Sequence, residues 1–419
     1  MSKKLVPELR FPEFESEGEW EERRLGDIAD FINGRAYKQE ELLTEGKYRV
    51  LRVGNFFTNN EWYYSNLELG KDKYCNKGDL LYAWSASFGP RLWNEEKVIY
   101  HYHIWKVENK PGINRQFLYN LLDYETFRMK AKSLNGFALM HITKGEIENW
   151  KSTVPRCEKE QNKIASCLFL LDEVITSYSQ KLDLLREHKK GLMQNLFPQD
   201  GETVPKYRFP EFKSDGEWIN TILSDNVSVV DGDRGVNYPK AEEYSNNGYC
   251  LFLNAKNVTK AGFVFNEVQY ITKQTDQLLR KGRLTRFDIV LTTRGSLGQF
   301  AYYDELVPFE NIRINSGMVI LRAKKEEDID SHYLYQYCLS SAIQLSIKNE
   351  AFGNAVQQLT VALVNNLPLR FPKSKTEQQK IAICLSSVDE LIKAQEQKIE
   401  QVNQHKKGLM QGLFPKLND

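Results

Sequence analysis

Residues 160–194 read EQNKIASCLFLLDEVITSYSQKLDLLREHKKGLMQ, and residues 377–411 read EQQKIAICLSSVDELIKAQEQKIEQVNQHKKGLMQ. The two segments share their first and last residues, and between these ends apolar side chains recur three and four residues apart. Such spacing places the apolar side chains on one face of a helix. The stripe consists of Ile164, Leu168, Leu171, Ile175, Tyr178, Leu182 and Leu185 in the first segment, and of Ile381, Leu385, Val388, Ile392, Ile399 and Val402 in the second, where Gln395 interrupts it. The chain is therefore predicted to contain two long amphipathic helices, one in each half.

Two helices with one-sided apolar stripes can bury them against each other as an antiparallel coiled coil. Thirty-five residues form a rod of roughly 52 Å, at 1.5 Å per residue. Because one helix lies in mid-chain and the other near the C-terminus, an antiparallel pair would hold the two intervening domains at opposite ends. The alternative is that each helix packs only on its own domain. Thr376 and Gln379 fit a capping box for the second helix, whereas the first helix has no cap residue at the matching position.

The segment that precedes each middle part of the chain is also repeated. Arg10-Phe-Pro-Glu-Phe14 returns as Arg208-Phe-Pro-Glu-Phe212, and Gly18-Glu-Trp20 returns as Gly216-Glu-Trp218. The interval between copies is longer for the helices than for these blocks, so the second half carries insertions. Constant ends with diverged middles are expected when one scaffold does the same job twice while each middle recognises something different. A duplication that drifted without selection for difference would give the same pattern.

The two middles, residues 15–157 and 213–374, combine strand-like and helical patterns and predict an α+β fold. Strands are predicted at residues 48–53, 80–84, 98–106, 289–293 and 317–321, and helices at residues 115–133 and 331–349. The predicted architecture is two mixed α/β domains related by an internal repeat and separated by two long helices that form an antiparallel coiled coil. The predicted boundaries are 1–157 for the first domain, 158–198 for the central helix, 199–374 for the second domain and 375–419 for the C-terminal helix.

Composition excludes several classes of protein. The 419 residues are 41% hydrophobic and 27% charged, which disfavours a disordered, collagen-like or membrane-spanning chain. No secretory signal or run of 18 apolar residues is present, so a cytoplasmic location is expected. Six cysteines form no metal-ligand spacing and are expected to be free thiols. With 57 basic and 56 acidic residues, a DNA-binding surface would have to be a local patch.

Both middles carry polar, glycine-containing loops whose side chains can bond base edges or phosphates. Arginine can bind guanine bidentately and asparagine or glutamine can bind adenine, while serine, threonine and lysine reach phosphates. The candidate DNA-binding residues are Arg35, Tyr37, Lys38, Ser85, Ser87, Arg91, Asn135, His141, Thr143 and Lys144 in the first middle, and Arg234, Asn237, Arg294, Ser296, Gln299, Asn354, Gln357, Gln358 and Thr360 in the second. Polar glycine loops are also ordinary surface turns. Their recurrence at matching places in both halves favours the functional interpretation.

Motifs of common enzymes are missing from the sequence. No GxxxxGK[ST] phosphate loop, HExxH zinc motif, GxSxG elbow or strand-linked GxGxxG occurs. His101 and His103 would face one side of a predicted strand, and a metal site would need a third ligand that the sequence does not supply. They are interpreted as structural or phosphate-contacting histidines. No catalytic residue and no metal ligand is predicted.

The whole chain resembles the specificity subunit of type I restriction-modification enzymes. The resemblance is carried by the Arg10–Phe14 and Arg208–Phe212 blocks, by the Glu-Gln-x-Lys-Ile-Ala helix starts and by the His-Lys-Lys-Gly-Leu-Met-Gln helix ends. It implies two target-recognition domains, each of which reads one half of a bipartite, asymmetric site in double-stranded DNA, with the two helices as a ruler between them. It further implies a chain that is not an enzyme by itself and that directs methylation and restriction.

The resemblance also implies partners and a cofactor. Two methyltransferase subunits would dock on the helices, for which we expect Lys189, Lys190, Lys406 and Lys407 to be contact residues. S-adenosylmethionine would be held by those methyltransferase subunits and not by this chain. Restriction and translocase subunits would complete the assembly, and no membrane partner is expected.

Two functions of other classes remain as alternatives at this point. One is a protein–protein scaffold in which the coiled coil spaces two peptide-binding domains. The other is a nuclease built from scattered acids such as Asp79 and Asp288, although their equivalent positions before apolar strands favour a role in turns.

Overall fold

The computed structural model describes residues 5–57, 59–85, 88–133, 141–325, 328–352 and 358–415. The chain divides into two compact units, one formed by Met1–Gln180 with Gln397–Asp419 and the other by Lys181–Glu396. Each unit is a mixed α and β structure, as the sequence predicts. None of the helices within the described ranges has the length and apolarity to cross a membrane.

The first half of the chain forms two four-stranded sheets and a two-stranded ribbon before the long central helix. In chain order its elements are β1 (Glu21–Arg24), α1 (Leu25–Ile28), β2 (Ala29–Asn33), β3 (Tyr48–Leu51), α2 (Val53–Phe57), β4 (Tyr63–Ser65), β5 (Tyr74–Cys75), β6 (Leu80–Ala83), β7 (Gly89–Leu92), β8 (Val98–Tyr100), β9 (Ile104–Asn109), α3 (Arg115–Ser133), α4 (Lys144–Asn149), β10 (Lys151–Val154) and α5 (Glu158–Leu196). The sheets have the strand orders β2-β9-β6-β7 and β4-β3-β8-β5, and β1 pairs with β10. All pairs are antiparallel except β3 with β8.

The second half repeats this plan with shorter peripheral strands. Its elements are β11 (Ile219–Ile222), α6 (Leu223–Asn226), β12 (Val227–Asp231), β13 (Cys250–Phe252), β14 (Val258–Thr259), β15 (Gly262–Phe263), β16 (Tyr270–Ile271), α7 (Lys273–Leu278), β17 (Ile289–Thr292), β18 (Phe300–Tyr302), β19 (Ile312–Arg313), β20 (Met318–Ala323), α8 (Ser331–Cys338), α9 (Ser341–Phe352), α10 (Val361–Asn365), β21 (Pro368–Phe371) and α11 (Lys375–Leu413). The sheet β12-β20-β17-β18 corresponds to β2-β9-β6-β7, and β16-β13-β19 corresponds to part of β4-β3-β8-β5. A two-stranded hairpin, β14-β15, accompanies them.

The alternation of side chains along β9 shows how the first unit builds its core. Trp105 and Val107 join Phe117 of α3 in the largest apolar cluster, whereas Ile104, one position away, belongs to the cluster of the other sheet. Because successive side chains of a strand point to opposite faces, one strand serves two cores. Leu168 of α5 lies in the larger cluster as well, so the long helix is part of the domain core.

Two elements predicted as continuous are broken in the structure. The strand predicted at residues 98–106 is β8 and β9 with a turn at His101–His103, because β8 pairs with β3 and β5 in one sheet while β9 pairs with β2 and β6 in the other. His101 and His103 therefore do not face one side of a strand. The helix predicted at residues 331–349 is α8 and α9, separated by a tight turn in which the Ser340 amide donates to the Tyr337 carbonyl at 2.9 Å.

The cap residue predicted for α11, Thr376, is wrong, because the residue that caps the helix is Ser374, two positions earlier. The helix begins at Lys375, and the Glu377 amide donates to Oγ of Ser374 at 3.3 Å. Thr376 and Gln379 lie inside the helix. With this start, Glu377 is the third residue of the helix, and its carboxylate is buried.

The Arg10–Phe14 block is anchored by the start of α5. Arg10 donates from Nε and Nη2 to the two carboxylate oxygens of Glu160, each at 2.8 Å, and Trp20 Nε1 donates to the same carboxylate at 3.1 Å. Arg10 and Glu160 expose only 7% and 1% of their side chains. Bidentate geometry and additional donors are what make a buried ion pair stable.

The second unit repeats this anchor. Arg208 donates from Nε and Nη2 to Glu377, each at 2.7 Å, and this pair is buried as well. The glutamine that follows each glutamate reaches the start of the helix that covers the sheet: Gln161 accepts from the Asn114 amide at 2.9 Å, and Gln378 from the Asp330 amide at 2.7 Å. The repeated sequence blocks therefore encode one structural joint, used twice.

The long helices pair with each other within each unit. In the second unit Arg186 pairs with Glu396 at 2.7 Å and Lys189 with Asp389 at 2.6 Å. Residue numbers rise along α5 while they fall along α11, so the pairing is antiparallel. In the first unit Lys406 pairs with Asp172 at 2.6 Å, and these residues are the repeat equivalents of Lys189 and Asp389.

Replacement of Glu160 by glutamine should destabilise the first unit strongly. The change leaves the Arg10 guanidinium buried without its counter-ion, which costs about 3–5 kcal/mol. The free energy of unfolding in denaturant measures the effect. Glu13→Gln is the matched control, because Glu13 joins the same two segments through an exposed pair with Lys163 at 2.9 Å. Equal losses in both variants would contradict the role of the buried anchor.

Candidate nucleic-acid interface

Four segments of the first unit meet at one end of the sheet β2-β9-β6-β7. Strands β2 and β6 end there, and β7 and β9 begin there. The Tyr102 amide donates to the Arg35 carbonyl at 3.0 Å, the Trp84 amide to the His103 carbonyl at 3.1 Å, and the Ile142 amide to the Trp84 carbonyl at 3.0 Å. Residues 34–35, 84–85, 101–103 and 141–142 thus form a row held by main-chain bonds, which we name the first edge.

The second unit has an equivalent row. The Thr293 amide donates to the Gly317 carbonyl at 2.8 Å, and the Leu359 amide to the Thr293 carbonyl at 3.1 Å. Nη2 of Arg234 donates to the Ser316 carbonyl at 3.2 Å. We name residues 232–235, 293–299, 315–317 and 358–360 the second edge. The matching of these bonds shows that the polar loops singled out in the sequence occupy the same place in both domains.

Glycine is required at the start of both edges. A Cβ atom at Gly34 would lie 2.4 Å from the carbonyl oxygen of His101, and one at Gly232 would lie 2.2 Å from that of Asn315. Both Cβ–oxygen distances are far shorter than the van der Waals contact of any real side chain. These glycines therefore permit a close approach between two segments of the same chain, which brings the edge together.

Several predicted DNA-binding residues of the first domain have structural partners. Arg35 forms a bidentate ion pair with Glu41, with Nη2–Oε1 and Nη1–Oε2 distances of 2.7 and 2.9 Å. This carboxylate raises the pKa of Arg35, against a smaller opposing effect of burial. Half-buried Tyr37 lies beside His101 with 6.3 Å between ring centroids, and burial raises its pKa. Arg91 donates to the Phe56 carbonyl at 2.5 Å.

The remaining predicted residues of this domain differ in exposure. Ser85 is buried and forms an isolated antiparallel bridge with exposed His141. Thr143 caps α4, because its Oγ1 accepts from the Glu146 amide at 3.3 Å. Lys144 pairs with Glu148 at 3.5 Å, and Lys38 is exposed beside Glu40. Ser87 and Asn135 lie outside the described residues.

In the second domain, Arg294 is exposed and has no hydrogen-bond or ion-pair partner in the part of the chain that the structure describes. Arg234, by contrast, is bonded to Asp231 at 3.2 Å as well as to Ser316, and Asn237 donates weakly to the Leu278 carbonyl at 3.4 Å.

The other predicted residues of the second domain divide in the same way. Ser296 is exposed, Gln299 and Gln358 are half-buried, and Thr360 caps α10 by accepting from the Leu363 amide at 3.2 Å. Asn354 and Gln357 lie outside the described residues.

An aromatic and histidine cluster occupies the middle of the first edge. The ring centroid of His103 lies 4.0 Å from that of Tyr102 and 4.8 Å from those of Trp84 and His101. The ring centroid of His141 lies 6.1 Å from that of Trp84. His101, Tyr102 and His103 are not among the predicted DNA-binding residues, although the two histidines are interpreted from the sequence as structural or phosphate-contacting. The signal that could have found them is the alternation of histidine and tyrosine before a strand.

Both histidines of the turn are neutral near pH 7. Burial, with smaller contributions from His103 and Arg52, lowers the pKa of His101 to about 4. Burial and His141 lower the pKa of His103. A neutral imidazole carries one donor and one acceptor nitrogen. The cluster therefore offers hydrogen-bonding groups and ring faces to a ligand, and not positive charge.

The four predicted partner-binding lysines are of two kinds. Lys189 and Lys406 are engaged with Asp389 and Asp172 within their units, and both are largely buried. Lys190 is exposed, and Lys407 is exposed above the ring of Phe127, 4.8 Å from its centroid. Charge reversal at Lys189 or Lys406 would therefore break an internal ion pair.

The acids proposed for a nuclease have structural roles. Asp79 Oδ2 accepts from the Asn76 amide at 2.8 Å and pairs with Lys106 at 3.2 Å. Asp288 accepts from the Thr285 amide at 2.7 Å and pairs with Arg322 at 2.6 Å. Both close a turn before a strand, as their positions predict. Within the described ranges, no group of three His, Cys, Asp or Glu residues could hold a metal ion.

The sequence of this chain is similar to those of a known protein family. The model of the family described as "Type I restriction modification DNA specificity domain" matches residues 17–187 and again residues 227–404. The specificity subunit of type I restriction enzyme MjaVIII of Methanocaldococcus jannaschii is 26% identical over 419 residues, covering 97% of this chain and 93% of that protein. The EcoBI specificity subunit of Escherichia coli is 18% identical over 344 residues, covering 77% and 69%.

Solved structures show the same fold. The type I restriction-modification S subunit from M. genitalium superposes with a TM-score of 0.62 at 18% identity, over 99% of this chain and 100% of that one. A chain from a study of complex assembly and conformational transition of the type I R-M system gives a TM-score of 0.55 at 15% identity, over 94% and 96%. This chain belongs to the type I restriction-modification DNA specificity family, and it carries the family's domain once in each half.

Replacement of His101 by asparagine should reduce the loss of stability at acid pH. The folded-state pKa of His101 lies below that of an unfolded histidine, about 6.5. As the pH falls through 6.5, the unfolded chain binds a proton that the folded chain does not, so stability falls. Denaturant unfolding at pH 7 and pH 5 should show a smaller difference for the variant than for the parent. His188→Asn, at an exposed position of α5, is the control, and an unchanged difference for His101→Asn would refute the prediction.

Proposed function

We propose that this chain is the non-catalytic DNA-recognition subunit of a cytoplasmic type I restriction-modification assembly. Each domain reads one half of a bipartite, asymmetric site in double-stranded DNA. The observation that carries the proposal is the pair of equivalent edges, which share two equivalent main-chain bonds but present different side chains. Two different half-sites require equivalent main-chain structures that present different side chains.

The side chains at the two edges suit the recognition of different bases. The second edge presents the unpartnered guanidinium of Arg294 near Gln299 and Gln358, groups that suit guanine and adenine edges. The first edge presents neutral imidazoles and aromatic rings around Tyr102, which can accept, donate and stack. Near pH 7 the two histidines of the turn add no positive charge, and Arg35 is paired with Glu41. Much of the phosphate contact would then come from partner subunits, in keeping with the net charge of +1.

The long helices act as the ruler between the half-sites. Their antiparallel ion pairs within each unit fix which parts of α5 and α11 belong together. Two recognition domains on such a scaffold suit half-sites on the order of one helical turn of DNA apart. The asymmetry of the site follows from the divergence of the two middles.

Two methyltransferase subunits dock on the outer faces of the helices and hold the S-adenosylmethionine, and restriction subunits join that assembly. The support is apolar exposure: Leu170 and Val174 of α5 expose 60% and 38% of their surface, and Leu391 of α11 exposes 56%. Val174 and Leu391 are repeat equivalents. An exposed apolar patch at equivalent places on both helices suits two copies of one partner.

Deletion of the gene tests the recognition role directly. We expect modification-sensitive sequencing of the host genome to show an asymmetric two-part motif that loses its methylation when this chain is absent. Return of the gene should restore the same motif. Methylation that is indifferent to the gene would refute the proposal, provided that a methyltransferase co-purifies with the tagged chain.

Aspartate at Val174 and at Leu391 should release the methyltransferase subunits. Burial of such a side chain contributes about 1.5–3 kcal/mol, so each change should weaken its contact by about 10- to 150-fold. Light scattering of the complex purified through a tag on this chain reports the stoichiometry. Leu184→Asp is the control, since Leu184 is 66% exposed on α5 while its repeat equivalent is Gln401. Release by the control alone would place the docking surface elsewhere.

A further inference from the structure

The turn at His101–His103 joins the two sheets of the first unit. Strand β8 of one sheet leads through this turn into β9 of the other. Strands β3 and β8 are parallel, with Leu51 opposite Tyr100, so their carboxyl ends leave the sheet side by side. The residue that follows β3 is Arg52, and the residue that follows β8 is His101. Arg52 is thereby brought to the first edge from the sheet β4-β3-β8-β5, in which no DNA-binding residue is predicted from the sequence.

Arg35 of the first edge and the arginines of β3 and β7 are already engaged. Arg35 is held by both oxygens of Glu41. Arg49, three residues before Arg52, pairs with Glu95 at 3.2 Å and lies 4.7 Å from the ring centroid of Trp62. Arg91 donates to the Phe56 carbonyl. Each of these guanidiniums would have to give up an internal bond in order to bind a ligand.

Arg52 differs in having no such bond. Its guanidinium carbon lies 4.2 Å from the ring centroid of Tyr63, and among the described residues no carboxylate lies within ion-pair distance of it. Its Nε is buried without a hydrogen-bond partner. In the free chain, the free-energy cost of removing this donor from water is therefore not offset by a hydrogen bond. The side chain as a whole is half-buried, so its position is restricted while part of it remains accessible to a ligand. A planar cation held on an aromatic ring is preorganised for bidentate recognition.

We infer that Arg52 is the specificity-determining cation of the first domain and that it reads a guanine in the half-site of that domain. The inference rests on the proposed function. Under this inference, Arg52 has the role at the first edge that Arg294 has at the second. Arg52 lies in a different segment from Arg35, which is the arginine predicted from the sequence. Neutral His101, whose pKa is lowered by its burial and then by His103 and Arg52, stands beside the guanidinium as a neutral donor and acceptor.

The test is to replace the chromosomal gene by variant alleles and to sequence the methylated sites of each strain. Arg52→Ala should relax one guanine position in one half of the motif, with a loss of discrimination of about 5- to 150-fold. Arg52→Lys should relax the same position, because an ammonium cannot grip two acceptors in a plane. Arg294→Ala should alter the opposite half of the motif, which assigns each half to its domain.

Arg49→Ala is the matched control for a surface arginine stacked on an aromatic ring, and it should leave the motif intact. An unchanged motif in both Arg52 variants would overturn the inference. So would a uniform loss of methylation in Arg52→Ala that Arg52→Lys restores in full, because that pattern marks a phosphate contact. If the parent strain has no bipartite motif that depends on the gene, the proposed function itself fails, and this outcome is distinct from the others.

Discussion

A buried carboxylate in the first turn of each long helix is the interaction on which both units depend. Glu160 and Glu377 each bind an arginine that lies more than a hundred residues earlier in the chain. A charge removed from water is tolerated only when it is fully paired, so the chain must return to the helix start. The glutamine next to each carboxylate then holds the helix that covers the sheet. The end of that sheet carries the edge, and the position of the edge is thus set by the helix.

Polar residues at the edges divide into those that hold the loop and those that remain available. Thr143 and Thr360 cap short helices, and Arg35 is occupied by Glu41. Arg294 and Arg52 have no such occupation in the part of the chain that the structure describes. The distinction is physical, since a group that already has its hydrogen bonds gains little by exchanging them for new ones. Candidate contact residues are therefore better ranked by their unused bonding capacity than by residue type.

The sequence predicted helical features and the antiparallel pairing of the long helices well, but it predicted strand pairings and side-chain partners poorly. Helix α3 begins and ends as predicted, and the apolar stripes of α5 and α11 face inward, because helical periodicity is a property of neighbouring residues. The break at His101–His103 could not be predicted, since strand propensity is continuous there while the pairing partners change. Nor could the sequence reveal that Arg35 is neutralised or that Arg52 is not. The surroundings of Arg52 depend on which segments the fold brings together, and the pairing of Arg35 with Glu41, six residues later, depends on the conformation of the loop between them.

The main-chain bonds of the first edge bear on how the protein can change over evolution. The row is held by amide-to-carbonyl bonds among Arg35, Tyr102, His103, Trp84 and Ile142, and a change of side chain to any residue except proline removes none of these bonds. The projecting side chains can therefore vary one at a time while the frame persists. Such a frame separates foldability from recognition, so that new sequence preferences can arise by single substitutions without an unstable intermediate.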